Sequence, residues 1–191
     1  DFPNITLGGI ICADLSLSFP DFRAGERTFQ LLAQVSGRSG RGSVPGKVIL
    51  QTFNPDHFSI LSARKQDFKA FFSQEIGFRK SLNYPPFSRM IQLKISGKNK
   101  QITRAHAMAV GSFCNRLRKR NTIFLKSVEM LGPIEAPLPK IAKRFRWQIL
   151  FKGSQTKILH RFVRQLLFQN TFKLNTQNVR VVIDVDPYMM M

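Results

Sequence analysis

The chain is poor in the residues that build metal sites and disulfide frameworks. Its 191 residues include two cysteines and three histidines, and no histidine has a cysteine or carboxylate at a metal-ligand spacing. Cys12 and Cys114 both lie in apolar runs, so we expect two buried free thiols, as an intracellular protein would carry. No run approaches the ~18 uninterrupted apolar residues of a membrane-spanning helix, which favours a soluble, cytoplasmic protein that does not contact membranes.

Acidic residues are also scarce, and their scarcity is uneven along the chain. Against 30 lysines and arginines there are 11 aspartates and glutamates, which gives a net charge of +19. Residues 1–75 hold 8 basic and 7 acidic side chains, whereas residues 76–183 hold 22 basic side chains and two acids, Glu129 and Glu135. The second part therefore predicts a polyanionic partner, for which nucleic acid is the natural candidate. The alternative is that lysine and arginine are common throughout the protein without a functional reason, but residues 1–75 would then be basic as well.

The first part of the chain alternates strand and helix signals. Residues 7–11 and 47–53 are short apolar runs with β-branched side chains, and residues 23–35 have helical spacing. Alternation of this kind predicts a parallel sheet. After the turn at residues 54–56, Asp56 is a candidate N-cap for helical segments that reach about Leu82.

The second part predicts an open sheet with two helices. Strand patterns occur at residues 91–95, 128–131, 147–151 and 179–185, and helical spacing occurs at residues 101–119 and 155–168. The first helix shows this spacing through Ile102, Ala105, Ala109, Phe113 and Leu117. The order is β-α-β-β-α-β, a ferredoxin-like α+β unit. A break at residues 84–86 and the change in charge predict two domains, residues 1–83 and 84–191.

Basic residues concentrate at two places in this second domain. We expect the nucleic-acid surface to be either the open face of the sheet or the loop between the two middle strands, which contains Lys140, Lys143, Arg144, Phe145 and Arg146. We expect Trp147 to face the core and the Phe145 ring to be freer to stack on bases. The end of the first helix adds a second candidate DNA-binding group, which consists of Arg116, Arg118, Lys119 and Arg120. Asp184 and Asp186 lack a third acidic partner, so we expect them to fix the C-terminal strand and not to bind metal.

One short string has a specific chemistry attached. Residues 34–42 read Q-V-S-G-R-S-G-R-G, in which two arginines three residues apart stand among glycines after a helical run. Glycines permit a close backbone approach to a ligand, and two guanidinium groups at this spacing can address one polyphosphate. The alternative is a loop that contacts a nucleic-acid backbone or solvates a turn.

Several strings in order resemble one family. The string at 34–42 resembles the last motif of superfamily 2 helicases, and residues 1–7 resemble the end of the motif before it. The chain is further similar to the primosomal protein N′ family of bacterial replication-restart helicases in the segments that precede this string, at residues 14–15, 20–23 and 26–32, and in three later landmarks. These read Y-P-P-F-S-R at 84–89, F-R-W-Q-I-L at 145–150 and I-D-V-D-P at 183–187.

The resemblance implies the end of a RecA-like motor lobe followed by the C-terminal DNA-binding domain. Arg41 would contact the γ-phosphate of ATP, Arg38 would lie beside it, and Gln34 would couple the nucleotide to lobe movement. Gly37, Gly40 and Asp1 would complete this nucleotide site. The chain has no phosphate loop, so ATP and Mg²⁺ would be bound mainly by upstream residues and the isolated chain would not hydrolyse ATP. Any zinc site would also lie upstream of Asp1.

The implied activity is that of an ATP-dependent 3′ to 5′ DNA helicase that recognises stalled or branched replication forks. The implied partners are fork DNA, single-strand DNA-binding protein and other primosome proteins. Three alternatives stay open from the residues alone. They are another superfamily 2 helicase, a standalone nucleic-acid-binding module without a motor, and the remnant of a degraded gene.

Overall fold

Two structural units make up the chain. The computed structural model describes residues 6–37, 46–168 and 173–190, and the chain divides into Asp1–Leu82 and Asn83–Met191. The first unit contains a two-stranded parallel sheet, and the second contains a four-stranded antiparallel sheet. The protein is therefore of mixed α/β class, as its strand and helix patterns predict. Within the described ranges, no helix is both long enough and apolar enough to cross a membrane.

In its described residues, the first unit has two short strands and three α-helices, besides one turn of 3-10 helix at Ala13–Leu15. They are β1 (Leu7–Ile10), α1 (Ala24–Ser36), β2 (Lys47–Leu50), α2 (Phe58–Arg64) and α3 (Phe68–Ser81). The two strands pair in parallel, with Leu7 opposite Lys47 and Ile10 opposite Leu50, which confirms the predicted parallel sheet. The rings of Phe29 and Phe71 stack in the core with their centroids 4.2 Å apart.

The helical stretch of this unit begins at a different cap from the predicted one. His57 caps α2, and its Nδ1 accepts a hydrogen bond from the Ser59 N–H at 3.3 Å, so the prediction of Asp56 is wrong. Burial lowers the pKa of His57, which favours the neutral imidazole whose Nδ1 can accept a hydrogen bond. Asp67 then caps α3 by accepting from the Ala70 N–H at 2.9 Å.

The second unit has the element order β-α-α-β-β-α-β. Its elements are β3 (Arg89–Gly97), α4 (Lys100–Lys119), α5 (Thr122–Ser127), β4 (Glu129–Ile141), β5 (Arg144–Gly153), α6 (Thr156–Phe168) and β6 (Val179–Val185). The strands are ordered β4-β5-β3-β6, and every neighbouring pair is antiparallel. Alternate residues of β3, β5 and β6 pack against the three helices to form one core. The other set of alternate residues forms the opposite side, which we call the outer sheet face.

Helix α4 buries a different face from the predicted one. Ile102, Ala105 and Ala109 are exposed, whereas Phe113 and Leu117 are buried as predicted. The remaining buried residues of α4 are Thr103, Ala107, Val110, Gly111 and Cys114. Small side chains let this helix pack closely on its neighbours, and a search for large apolar residues does not detect such a face. The helical spacing at residues 155–168 predicts an apolar stripe of Ile158, Leu159, Phe162, Val163, Leu166 and Leu167. In α6 this stripe packs on the core except at Leu167, which is half-exposed.

The predicted basic loop between the two middle strands is a tight hairpin. Strand β4 continues to Ile141 and β5 begins at Arg144, so Lys140, Arg144, Phe145 and Arg146 are strand residues. The turn consists of Ala142 and Lys143, which have φ angles of 47° and 60°. Left-handed conformations at both turn residues normally select asparagine or glycine, so the sequence gives no signal for this hairpin.

The two cysteines have different environments. Cys114 is buried as predicted, and burial raises the pKa of its thiol to about 12, which keeps it protonated and unreactive. Cys12 is exposed, so the prediction of a second buried thiol is wrong. Its backbone adopts a left-handed conformation with a φ of 53° directly before the 3-10 helix at Ala13–Leu15.

A close approach between α4 and β4 depends on a glycine. A Cβ atom at Gly111 would lie 2.6 Å from Cδ and 2.9 Å from Cγ of Pro133, which is far inside van der Waals contact. Both proline atoms belong to a rigid ring, so the strand as a whole would have to move. Gly111 therefore sets the spacing between α4 and β4.

We expect Gly111→Ala to destabilise the protein although alanine is the better helix former. The helix preference for alanine is worth about 1 kcal/mol, and overpacking at a rigid neighbour costs about 1–3 kcal/mol. Urea unfolding should show a net loss of stability. Ser112→Ala, one residue along on the exposed face of the same helix, is the matched control and should be neutral or slightly stabilising. A stabilised Gly111→Ala variant would show that the contact with Pro133 is not tight.

Candidate nucleic-acid interface

The residues predicted to bind a nucleotide are only partly described. Gln34 and Gly37 lie at the end of α1, where Gln34 is exposed and the Gly37 N–H bonds to the Ala33 carbonyl at 3.0 Å. Arg38, Gly40, Arg41 and Asp1 lie outside the described residues. Of the six residues predicted to bind the nucleotide, the described part of the chain thus contains Gln34 and Gly37, which lie within one helical turn of each other. Among them, no three histidine, cysteine or carboxylate side chains meet in a way that could hold a metal ion.

The outer sheet face of the second unit carries a basic row. On β3, Ser96 pairs with Arg146 of β5 on one side and with Arg180 of β6 on the other. Neighbouring strands lie ~4.8 Å apart, so the two arginines are about 10 Å apart across the sheet and point to the same side. Arg180 is exposed and Arg146 is half-buried.

Two further cations lie next to this row. Arg144 donates from Nη2 to the Ser96 carbonyl at 2.9 Å and from Nε to the Ser96 hydroxyl at 3.4 Å. Lys143 is exposed at the adjacent hairpin turn. We call Lys143, Arg144, Arg146 and Arg180, grouped around Ser96, the basic end of the sheet.

Sequence reasoning missed Arg180, although part of the signal was present. Val179, Val181 and Ile183 alternate, so Arg180 had to point away from the core. The register of β6 against β3, which places Arg180 beside Ser96, cannot be predicted from this alternation, however.

Cations away from the basic end form ion pairs. On the outer face, Lys94 contacts Asp184 at 2.6 Å and Lys152 contacts Glu129 at 3.1 Å. At the start of β3, Arg89 contacts Asp186, which lies just after β6, at 3.5 Å. Asp184 and Asp186 thus fix β6 to β3, as predicted. The Asp186 N–H also bonds to the Met90 carbonyl at 2.8 Å. Positive charge on this face is therefore most concentrated at the basic end.

Phe145, the ring predicted to stack on bases, is only partly exposed. Phe145 packs against the edge of the core, and the Lys140 ammonium lies 4.9 Å from its ring centroid. Trp147 is 3% exposed, so it faces the core as predicted, and Phe145 is the more accessible of the two rings. A base that stacks on Phe145 would have to displace Lys140.

The second predicted basic group lies at the opposite end of the unit. Helix α4 begins three residues after β3 ends and runs back along the sheet. Arg118 Nη1 donates to the carbonyl of Val128, the residue directly before β4, at 3.1 Å. The first residue of β4 pairs with Lys152 near the end of β5, so this hydrogen bond lies at the end of the sheet opposite the basic end. Arg118 also contacts the Asn115 side chain at 3.4 Å, so its guanidinium serves the fold. Arg116, Lys119 and Arg120 are exposed.

The comparison with protein-family models identifies one family for this unit. The family model described as "Primosomal protein N C-terminal domain" matches residues 80–188, which include the whole sheet and both basic groups. The chain belongs to this family. The resemblance seen in the sequence motifs is therefore confirmed.

Curated relatives extend the match over the first unit as well. The chain is 36% identical to "Replication restart protein PriA" of Bacillus subtilis, over all of this chain and 23% of that protein. It is 38% identical to the protein of that name from Synechocystis, over 98% of this chain and 21% of that protein. The protein of the same name from Chlamydia pneumoniae is 38% identical, over 98% of this chain and 24% of its own length. The chain thus spans about a quarter of the length of these relatives.

Proposed function

We propose that the chain forms the end of the second motor lobe and the C-terminal DNA-binding domain of a replication-restart helicase. The relatives named "Replication restart protein PriA" support this assignment. The parallel pairing of β1 with β2 supports a RecA-like lobe for the first unit. For the second unit, the strand order β4-β5-β3-β6, with helices between β3 and β4 and between β5 and β6, supports a ferredoxin-like arrangement. A standalone binding module is less well supported, because the matched relatives are about four times as long.

The full-length protein would be an ATP-dependent 3′ to 5′ DNA helicase that acts at stalled or branched forks and starts primosome assembly. ATP and Mg²⁺ would supply the free energy for strand separation and would be held mainly by residues outside this chain. From this chain, Arg41 and Arg38 would face the phosphates and Gln34 would couple the nucleotide to lobe movement. The isolated chain would not hydrolyse ATP. Single-strand DNA-binding protein and other primosome proteins would be its protein partners, in the cytoplasm.

The basic end of the sheet would hold the DNA backbone. The observation that carries this step is the row in which Arg146 and Arg180 flank Ser96 on one face. Arginine side chains on neighbouring strands can contact successive phosphates, and such contacts give affinity without sequence preference. Arg144 is held by Ser96, which pre-orders one guanidinium at this place. Because the acids of the outer face are engaged in ion pairs, they do not oppose a polyanion here.

We expect the double variant Lys143→Glu with Arg180→Glu to bind DNA at least about tenfold more weakly than the parent chain. Each reversal removes one phosphate contact and adds repulsion, so the effect should not depend on sequence. Both side chains are exposed, so the fold should lose less than ~0.5 kcal/mol per site. Fluorescence anisotropy with a labelled forked DNA measures the affinity, and a thermal melt checks the fold.

A matched control is available at the other end of the unit. Arg116→Glu with Arg120→Glu changes the net charge by the same amount at two exposed positions. This variant should lose less than about threefold, because only non-local attraction changes. An equal or larger loss in the control would move the DNA surface to the end of α4 and would contradict the placement at the basic end.

A further inference from the structure

The hairpin between β4 and β5 extends past the rest of its sheet. Strand β3 ends at Gly97, which pairs with Phe145 of β5 and with the first residue of β6. Beyond this row β4 and β5 continue together, with Ile141 opposite Arg144. We call residues 141–144, which close the hairpin, the tip. The tip is therefore a two-stranded extension of a four-stranded sheet.

The tip has side chains at positions where the backbone favours glycine. Ala142 and Lys143 have φ angles of 47° and 60°, and among the described residues they are the only two consecutive non-glycine residues with positive φ. Left-handed backbone is unfavourable for residues that have a Cβ atom, and such conformations cluster at functional sites. Asparagine followed by glycine would form the same turn more easily. A function of the tip explains why this sequence is found there instead.

Contacts at its base hold the tip in place. Arg144 donates two hydrogen bonds to Ser96 near the end of β3. The Lys140 ammonium lies 4.9 Å from the centroid of the Phe145 ring, which joins β4 to β5 in the row below the tip. Both strands of the hairpin are thus anchored, so the tip can resist a force from a strand of DNA.

The tip presents apolar surface directly beside the basic end of the sheet. Ile141 pairs with Arg144, so the two side chains point to the same outer sheet face, and Ile141 is 46% exposed. Ala142 follows it and is also exposed. Arg144 belongs both to the tip and to the basic end. DNA held at the basic end therefore meets the tip without crossing to the other side of the sheet.

Cations also lie on the helix side of the hairpin. Lys98, Lys100 and Arg104, in the turn after β3 and at the start of α4, are all exposed. Lys100 contacts Glu135 at 3.3 Å, and Glu135 pairs with Trp147 of the core, which places this group on the helix side of the sheet. Two phosphate backbones can therefore be bound, one on each side of the apolar tip.

We propose that the hairpin tip separates the two strands at the junction of forked DNA. This inference rests on the proposed DNA-binding function of the basic end and adds a mechanical role to it. One strand follows the basic end, and the other follows Lys98, Lys100 and Arg104. Where the strands diverge, the last base pair meets Ile141 and Ala142. Apolar side chains that insert at a base step unstack the bases, so the tip opens this pair.

The 191-residue chain provides a direct test. A forked DNA carries 2-aminopurine, whose emission rises when it leaves the stack, in the last base pair before the junction. Saturation with the chain should raise this emission, whereas 2-aminopurine placed well inside the duplex should not respond. Anisotropy of the same fork measures binding. Binding without the rise in emission would overturn the role of the tip alone, and absence of binding would overturn the proposed function of the basic end as well.

A tip variant distinguishes strand separation from binding. Ile141→Ser with Ala142→Gly removes the apolar side chains and leaves every cation in place, and glycine suits the left-handed turn, so the fold should be retained. The variant should bind the fork within about threefold of the parent, because its phosphate contacts are unchanged. It should lose the rise in emission, and in the full-length helicase it should unwind about tenfold less DNA per ATP hydrolysed.

A matched control is Ile123→Ser in α5, because Ile123 is 47% exposed and lies away from the tip. This control should raise the 2-aminopurine emission and unwind forks as the parent does. A tip variant that kept the rise in emission, or unwound as much DNA per ATP as the parent, would show that the tip does not separate the strands. An equal loss in the Ile123→Ser control would also overturn the proposal, because the effect would then not belong to the tip.

Discussion

Replacement of Arg41 by alanine in the full-length helicase is expected to lower ATP hydrolysis by ~10³ to 10⁵-fold. An arginine that contacts the transferred phosphoryl group stabilises charge that develops in the transition state, and its loss lowers turnover by this amount. Binding of DNA should be unchanged, because the proposed DNA surface lies in the second unit. Steady-state hydrolysis with saturating forked DNA measures the first quantity, and anisotropy with the same DNA measures the second.

Two other variants serve as references for this result. Arg38→Ala should lower hydrolysis in the same direction but less, since Arg38 lies beside the γ-phosphate contact in the proposed arrangement. Arg23→Ala removes an arginine that precedes α1 and is absent from the motif, so hydrolysis should stay within about twofold of the parent. If Arg41→Ala kept its hydrolysis and lost DNA binding, the G-R-S-G-R string would be a nucleic-acid loop.

The regular elements of the second unit could be predicted because their patterns are strong. Strand β6 alternates Val179, Val181 and Ile183 with outward residues, and α6 carries a continuous apolar stripe that includes Phe162. Each pattern follows from the burial of one face and needs no knowledge of neighbouring elements. The predicted order of strands and helices was correct for the same reason, apart from the short α5.

The features that could not be predicted depend on contacts between distant residues. Gly111 faces Pro133, and this close approach between α4 and β4 cannot be predicted from the spacing of apolar residues in the helix. The hairpin turn at Ala142 and Lys143 is held by the pairing of β4 with β5, because neither residue favours its left-handed conformation. Arg180 enters the basic end only through the register of β6 against β3. None of these contacts can be predicted from the spacing of residues in the sequence.

Two of the family's sequence landmarks stabilise the same end of the sheet. Arg89 from the first landmark contacts Asp186 from the last one, and the Ser88 hydroxyl donates to the Asn83 carbonyl at 2.6 Å. These landmarks therefore join the start of β3 to the end of β6. Family motifs in this unit thus stabilise one end of the sheet, whereas most residues of the basic end lie outside the motifs.

The substitution Phe162→Ala is expected to reduce the free energy of unfolding of the second unit by ~3–5 kcal/mol. Phe162 is fully buried and its ring meets Phe124 and Phe151 edge to face, with centroids 5.3 Å and 5.1 Å apart. Removal of the ring leaves a cavity between α5, α6 and β5 that the packed core cannot close. Urea unfolding followed by far-ultraviolet circular dichroism measures the loss.

Two further substitutions serve as controls for this measurement. Leu167→Ala, on the half-exposed side of the same helix, should cost less than ~1 kcal/mol. Phe162→Leu keeps most of the volume and should cost less than the alanine variant, which gives a usable value if Phe162→Ala does not fold. A loss below about 1 kcal/mol for Phe162→Ala would contradict the packing of α6 on the sheet.

The most direct test of the central claim is the salt dependence of DNA binding by the 191-residue chain. If the basic end holds the DNA backbone, the logarithm of the association constant should fall linearly with the logarithm of salt concentration. The slope should be steep, and in Lys143→Glu with Arg180→Glu it should become shallower by about 2, one unit for each lost phosphate contact. A flat titration for the parent chain, or the same slope in parent and variant, would contradict binding at the basic end.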